Sequence, residues 1–285
     1  MKITLAKACS DLGVHVNGSD KGPVALSDID EYVDKVITVK KEDVPKELEP
    51  NNKLRNIKYV NKFNEELYND LKDDENFVIT LGGDHSIAIA SDLASINKHK
   101  NIGIFWIDAH ADYHTCESTI SGNIHGMPLC TIDGENGTKL SYFHNNEYFN
   151  PKHTVIIGGR DIEKPEYYNL VNAGVTVFTT KDIKEQGVKA IMDKAYDIVK
   201  DCDGLHISYD LDVIDPLVAP GVSVKAENGI DEAEAKQIMN EIVNHIDVLK
   251  SFDLVELNPD NDIDNKTKDI ALSLLKELIY FIQKK

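Results

Sequence analysis

Asp108, His110 and Asp112 fall on alternate residues near the start of the stretch WIDAHADYHTCESTISGNIHGMP, Trp106–Pro128. In extended chain, residues two apart point the same way, so three metal-capable side chains can face one pocket. The apolar run Ile102–Ile107 just before them reads as a buried strand, which places the triplet at a strand end. In an open parallel sheet, that is where ligands bind. After a small polar loop, Asn123-Ile124-His125 adds a further histidine.

Four other segments repeat the design of an apolar run ending in ligand-type residues. Phe77–Leu81 leads into Gly82-Gly83-Asp84-His85-Ser86, and Leu205–Ser208 leads into Tyr209-Asp210-Leu211-Asp212. Asp253–Val255 leads into Glu256-Leu257-Asn258-Pro259, and Thr154–Ile157 into Gly158-Gly159-Arg160-Asp161. If the strands are parallel, every cluster lands on one edge of the sheet. His85, Asp108, His110, Asp112, Asp210 and Asp212 together supply four carboxylates and two imidazoles, a charge that two divalent cations balance. A donor set rich in carboxylate suits hard or borderline ions such as Mn²⁺, whereas a structural zinc site prefers cysteine. Two cations sharing aspartates can hold a hydroxide at neutral pH, which points to hydrolysis of a resistant C–N or P–O bond. Singly, each motif has a plainer reading. An Asp-x-Asp is often a solvated turn or a helix cap, Asp161 beside Arg160 an ion pair, and Cys116 a passive thiol. Coincidence at one edge is what favours the metal reading. His15, His99, His144, His153, His206 and His245 have no such context and are read as structural.

Eight short β-branched runs are expected as strands: Ile3–Ala6, Lys35–Val39, Phe77–Thr80, Ile102–Ile107, Thr154–Ile157, Val175–Phe178, Leu205–Ser208 and Asp253–Leu257. Helical patterns lie between most of them, at Phe63–Leu71, Ile87–Ile96, Val188–Val199, after a capping box at Asp231 and Glu234, and over Asp264–Gln283. Strands alternating with helices predict a parallel sheet covered on both faces. Ile132–Asn150 is polar and reads as a loop with a short helix. No linker, low-complexity tract or repeat divides residues 1–285, so one domain is expected.

The net charge is −18 and arginine occurs only at Arg55 and Arg160, which disfavours nucleic acid or an anionic membrane and favours a cationic small molecule. Four cysteines at no metal or disulfide spacing, a short N-terminal apolar run and no stretch near membrane-spanning length predict a cytoplasmic protein.

GGDHS at Gly82–Ser86, DAHAD at Asp108–Asp112, SYDLDVIDP at Ser208–Pro216 and the glutamate of LVELNP resemble the signatures of the ureohydrolases. That family includes arginases, agmatinases, guanidino-acid hydrolases and formimidoylglutamases. The resemblance covers most of the chain, including Gly22-Pro23 and Asn265-Lys266-Thr267. It implies a three-layer α/β/α sandwich around an eight-stranded parallel sheet and two Mn²⁺ per chain, commonly in trimers or hexamers. By position, His85, Asp108, Asp112 and Asp210 would hold one manganese, and His110, Asp108, Asp210 and Asp212 the other. Catalysis would fall to His125 as proton shuttle, Glu256 as guanidinium acceptor and Asp112 beside the metals.

The loop Ser121–Pro128 resembles the arginase version, in which Thr119, Ser121 and Asn123 would bind an amino acid's α-carboxylate. Asp161 would join the substrate contacts. The expected substrate is therefore L-arginine, giving ornithine and urea. Three positions depart from the arginase pattern. His114 stands for an asparagine that contacts the carboxylate, Glu163 for an aspartate that reads the α-amino group, and Ser223-Val224-Lys225 for Gly-Thr-Pro. A Lys225 reaching the pocket would favour a more acidic substrate, such as formimidoylglutamate or a guanidino acid. Agmatine and a non-catalytic metal-binding scaffold are the remaining alternatives.

Overall fold

The computed structural model describes residues 1–44, 53–134, 140–143 and 147–285. His144 and part of the expected Ile132–Asn150 loop lie outside the described residues. Among the described residues the strands are β1 (Ile3–Cys9), β2 (Lys35–Lys40), β3 (Phe77–Gly82), β4 (Ile102–Ile107), β5 (Thr154–Gly159), β6 (Thr176–Thr179), β7 (Gly204–Asp210) and β8 (Leu249–Val255). The helices are α1 (Gly22–Ala25), α2 (Ile57–Leu71), α3 (Ala88–His99), α4 (Pro128–Ile132), α5 (Lys164–Ala173), α6 (Thr180–Gln186), α7 (Val188–Ile198), α8 (Glu232–Asn244) and α9 (Lys266–Lys284).

The strands form one eight-stranded sheet in the order β2-β1-β3-β8-β7-β4-β5-β6. Every pairing is parallel. Successive side chains of β4 divide between two cores because the strand period is two. Phe105 and Ile107 pack with α6 to α9, while Ile104 and Trp106 pack with α2 to α5. The parallel sheet covered on both faces that the alternation predicts, and the three-layer α/β/α sandwich that the resemblance implies, are the observed fold. No helix among the described residues is long and apolar enough to cross a membrane.

The predicted last strand needs correction. It runs Leu249–Val255 rather than Asp253–Leu257, because Glu256 takes φ 66° and breaks the extended chain. Helices α5 and α6 were not expected. Their capping boxes, Glu163 with Glu166 and Thr179 with Asp182, open helices whose buried faces are small. The Asp231–Glu234 capping box is present and opens α8.

Strand order brings the ligand-type residues together. The four central strands are β3, β8, β7 and β4, in that order across the sheet. Their C-terminal ends carry His85, Glu256, Asp210 with Asp212, and Asp108 with His110 and Asp112. At Gly83 the chains after β1 and β3 touch. A Cβ there would lie 1.8 Å from the Ser10 carbonyl oxygen, so only glycine fits.

Candidate metal centre and active site

Asp108, His110 and Asp112 converge, though not as an extended segment. β4 ends at Ile107, the chain bends, and Asp112 sits at φ 49°. The His110 amide donates to Asp108 Oδ1 at 2.7 Å and fixes the bend. Across the sheet, Asp84 caps the turn after β3 by accepting from the Ser86 amide at 2.9 Å, which aims His85 inward. Asp210 does the same after β7, accepting from the Asp212 amide at 2.7 Å.

His85 Nδ1 lies 3.1 Å from one oxygen each of Asp108, Asp112 and Asp210. Its Nε2 contacts Ser208 Oγ at 2.9 Å, and its ring stacks on Trp106 at 4.0 Å, 5° from parallel. His110 Nδ1 lies 2.9 Å from Asp212 Oδ2 and 3.5 Å from Asp108 Oδ1. Two buried groups result, His85–Asp108–Asp210 and Asp108–His110–Asp212, each with ligand atoms within 4.8 Å of one another. They share Asp108.

Their electrostatics test whether cations fit. Burial holds Asp210 well above the usual carboxylate range, reinforced by Asp212 and Asp108. Burial also pushes Asp212 up to about 6 and raises Asp112, the latter with help from Asp108. Burial would lower His85 and His110, but the surrounding carboxylates outweigh it and raise both. Only Asp108 falls, because His110 and His85 outweigh its burial. His85 Nδ1 and Asp108 Oδ2 make no hydrogen bond although buried beside possible partners. Oxygen-rich donors, crowded negative charge and unpaired ligand atoms together describe a shell for two divalent cations.

Above the shell opens a cavity of about 230 Å³, lined by His110, Asp112, His114, Ser121, Asn123 and His125, and by Asp161, Glu163, Asp210 and Asp212. His125 Nδ1 lies 3.0 Å from Glu256 Oε1, which also accepts from the His85 amide at 3.0 Å. Glu256 Oε2 is buried without a partner. Burial would lower the His125 pKa, but Glu256, Asp112 and Asp84 raise it.

Thr119 is placed differently from the other expected contacts. Its hydroxyl accepts from the Gly122 amide at 3.1 Å, and it is not part of the cavity lining. Lys225 is exposed, and Val224 faces the cavity instead. Arg160 turns to carbonyls, donating to Asp212 and Ala226 at 2.8 Å and to Val213 and Glu227 at 3.0 Å.

Two cavity residues were not expected. His15 places Nδ1 3.0 Å from the Asn123 amide nitrogen, while Arg55 donates to the Asn123 oxygen at 2.9 Å. Glu166 accepts from the amides of Tyr113 at 2.8 Å and Glu163 at 3.2 Å, and burial pushes it up to about 8. The spacing of Glu163 and Glu166 is a helix-start signal that marks this position in the sequence. His15 carries no comparable signal. His114 Nε2 faces Glu163 at 3.7 Å and Glu166 at 3.9 Å.

The profile of the Arginase family matches residues 2–280. An arginase of Bacillus subtilis is 35% identical over 283 residues, covering 94% of both chains. One of Staphylococcus aureus is 33% identical over 290 residues, covering 96% of this chain and 95% of its own. The solved arginase of Bacillus caldovelox superposes with a TM-score of 0.92 at 30% identity, over 98% of each chain.

Proposed function

The chain belongs to the arginase family, and on that footing we propose that it is a dimanganese arginase, hydrolysing L-arginine to ornithine and urea. One observation carries the reading: six metal-capable side chains, His125 and Glu256 meet at the C-terminal edge of four adjacent strands. His85, Asp108, Asp112 and Asp210 would hold one manganese, and His110, Asp108, Asp210 and Asp212 the second. When bound, two such cations activate water as a nucleophile at neutral pH.

The chain's own residues would then bind and orient the substrate. Glu256 commits Oε1 to the His85 amide and His125, which leaves Oε2 for the guanidinium. His125, raised in pKa and lining the cavity, carries the proton for the departing amine. Asp161 and Glu163 form an acidic side that suits an α-ammonium group, with Glu166 bound to the amides of Tyr113 and Glu163 behind them. Ser121, Asn123 and His114 form the side that suits the carboxylate. Asn123 is held rigid between Arg55 and His15. Val224 rather than Lys225 facing the cavity supports arginine over an acidic substrate.

The test is a substrate panel on manganese-loaded protein. It reads urea from arginine, agmatine and guanidinobutyrate, and formamide from formimidoylglutamate. Urea released from arginine well above the others is expected. Turnover confined to another compound would replace arginine as substrate, and no turnover with two metals bound would leave a scaffold.

A further inference from the structure

Deeper along the same face of the sheet lies another group of metal-capable side chains, unused by the chemistry above. His206 on β7, Asp253 on β8 and Asp92 on α3 are all at most 1% exposed. Their ligand atoms lie within 4.8 Å of one another. Four residues of strand separate His206 from Asp210, a distance of about 13 Å.

The contacts have an unusual form. His206 Nε2 is 2.8 Å from Asp92 Oδ1 and 3.6 Å from Asp253 Oδ2, yet it has no hydrogen-bond partner. Asp92 Oδ2 has none either. The far ring nitrogen, Nδ1, is 2.7 Å from Ser251 Oγ, which is backed by Ser95 Oγ. His85 shows the same arrangement in the dimetal shell. There too one ring nitrogen is anchored to a serine, while the other sits among carboxylate oxygens without hydrogen-bond alignment. Anchoring the far nitrogen is how a metal-binding histidine is oriented.

Protons now balance the charge of the group. Burial would lower His206, but Asp92 and Asp253 outweigh it and push it up to about 10. His206 outweighs burial and holds Asp253 below its ordinary value, while burial pushes Asp92 up to about 7. A divalent ion would displace those protons and balance the two carboxylates in a dry interior. Ser91 donates to Asp253 and adds a hydroxyl beside the group. A narrow cleft lined by Ser91, Ser95, Lys250 and Asp253 leads to it. We infer that Asp92, His206 and Asp253 form a third, mononuclear site for a divalent transition ion, with mixed nitrogen and oxygen donors that suit Zn²⁺ or Mn²⁺. Such an ion would tie α3 to the two central strands.

Metal content per chain, measured by elemental analysis after loading with Mn²⁺ or Zn²⁺ and gel filtration, tests this. Three equivalents are expected in the wild type and two in Asp92→Asn, whose manganese-loaded form should keep its hydrolytic rate. Asp210→Ala, which disrupts the dimetal shell, should still retain one equivalent that Asp92→Asn combined with it loses. Two equivalents in the wild type would overturn the proposal and leave a buried ion pair sharing a proton. Should Asp92→Asn fail to fold, the wild-type count and the equivalent kept by Asp210→Ala decide the matter.

Discussion

His85 illustrates how much a single side chain is asked to do. Its backbone amide holds Glu256, its ring touches Ser208 and Trp106, and its Nδ1 meets three carboxylates. Asp210 is one of those three carboxylates, 3.1 Å from His85 Nδ1, and on the proposed reading it would serve both cations. Asp210→Ala should abolish urea release and lower bound manganese, and a variant that still turns over at the wild-type rate would refute the metal reading. His125→Ala should instead reduce the rate by about 10²–10⁴-fold with manganese retained, because it removes a proton donor and no ligand. Titration of bound metal beside the kinetics separates the two cases. His85 and Asp210 were legible in the sequence because each sits in a short motif at a strand end, and His125 because its loop resembles the arginase version. His15 and Glu166 were not, because the loop after β1 and the first turn of α5 reach the cavity only through the folded topology. Their segments carry no ligand spacing.

Elements rather than residues decide whether the loops stay in place. Arg160, just beyond β5, gathers carbonyls from the turn after β7 and from Ala226 and Glu227. The neighbouring Asp161 suggests an ion pair in the sequence, yet carbonyls are the better match for a half-buried fork of donors. Arg160→Ala should lower unfolding stability by about 2–4 kcal/mol and weaken manganese binding about tenfold or more, by freeing the support of Asp212. Chemical denaturation and a metal titration check the pair of effects. At the opposite edge, Asp74 accepts from Thr4 Oγ1 at 3.0 Å, the Asn76 amide at 2.9 Å and Lys35 at 2.8 Å, joining the turn before β3 to β1 and β2. Burial would raise this carboxyl, but these partners hold it below its ordinary value. A depressed acid stabilises the fold above its unfolded pKa, and that stability is lost as pH falls through the folded value. Asp74→Ala should therefore cost about 1–2 kcal/mol near pH 7 and less near pH 3, Lys35 adding little because it is exposed. A pH-independent difference would contradict the assignment. Helix α5 was not expected for a related reason: its buried residues are Glu166 and Leu170 alone, too few to show a period, so only the capping spacing at its start marks it in the sequence.

Across the whole molecule, the number of strands could be counted from apolar runs, but their order could not. Crossovers carry β7 and β8 between β3 and β4, and nothing in the local pattern of either strand announces it. That reordering is what assembles the centre. The net charge of −18 gives the surface a field that draws cations inward. Raising NaCl from about 10 mM to about 500 mM should raise the KM for arginine several-fold while leaving kcat nearly constant. Salt-insensitive KM values would show that only the cavity's own charges matter. The chain has one tryptophan, and it is the one stacked on His85. Ultraviolet emission from the entire protein at indole wavelengths thus arises beside the dimetal shell. Loading or stripping the cations should alter its intensity, which makes the protein a label-free optical gauge of its own occupancy.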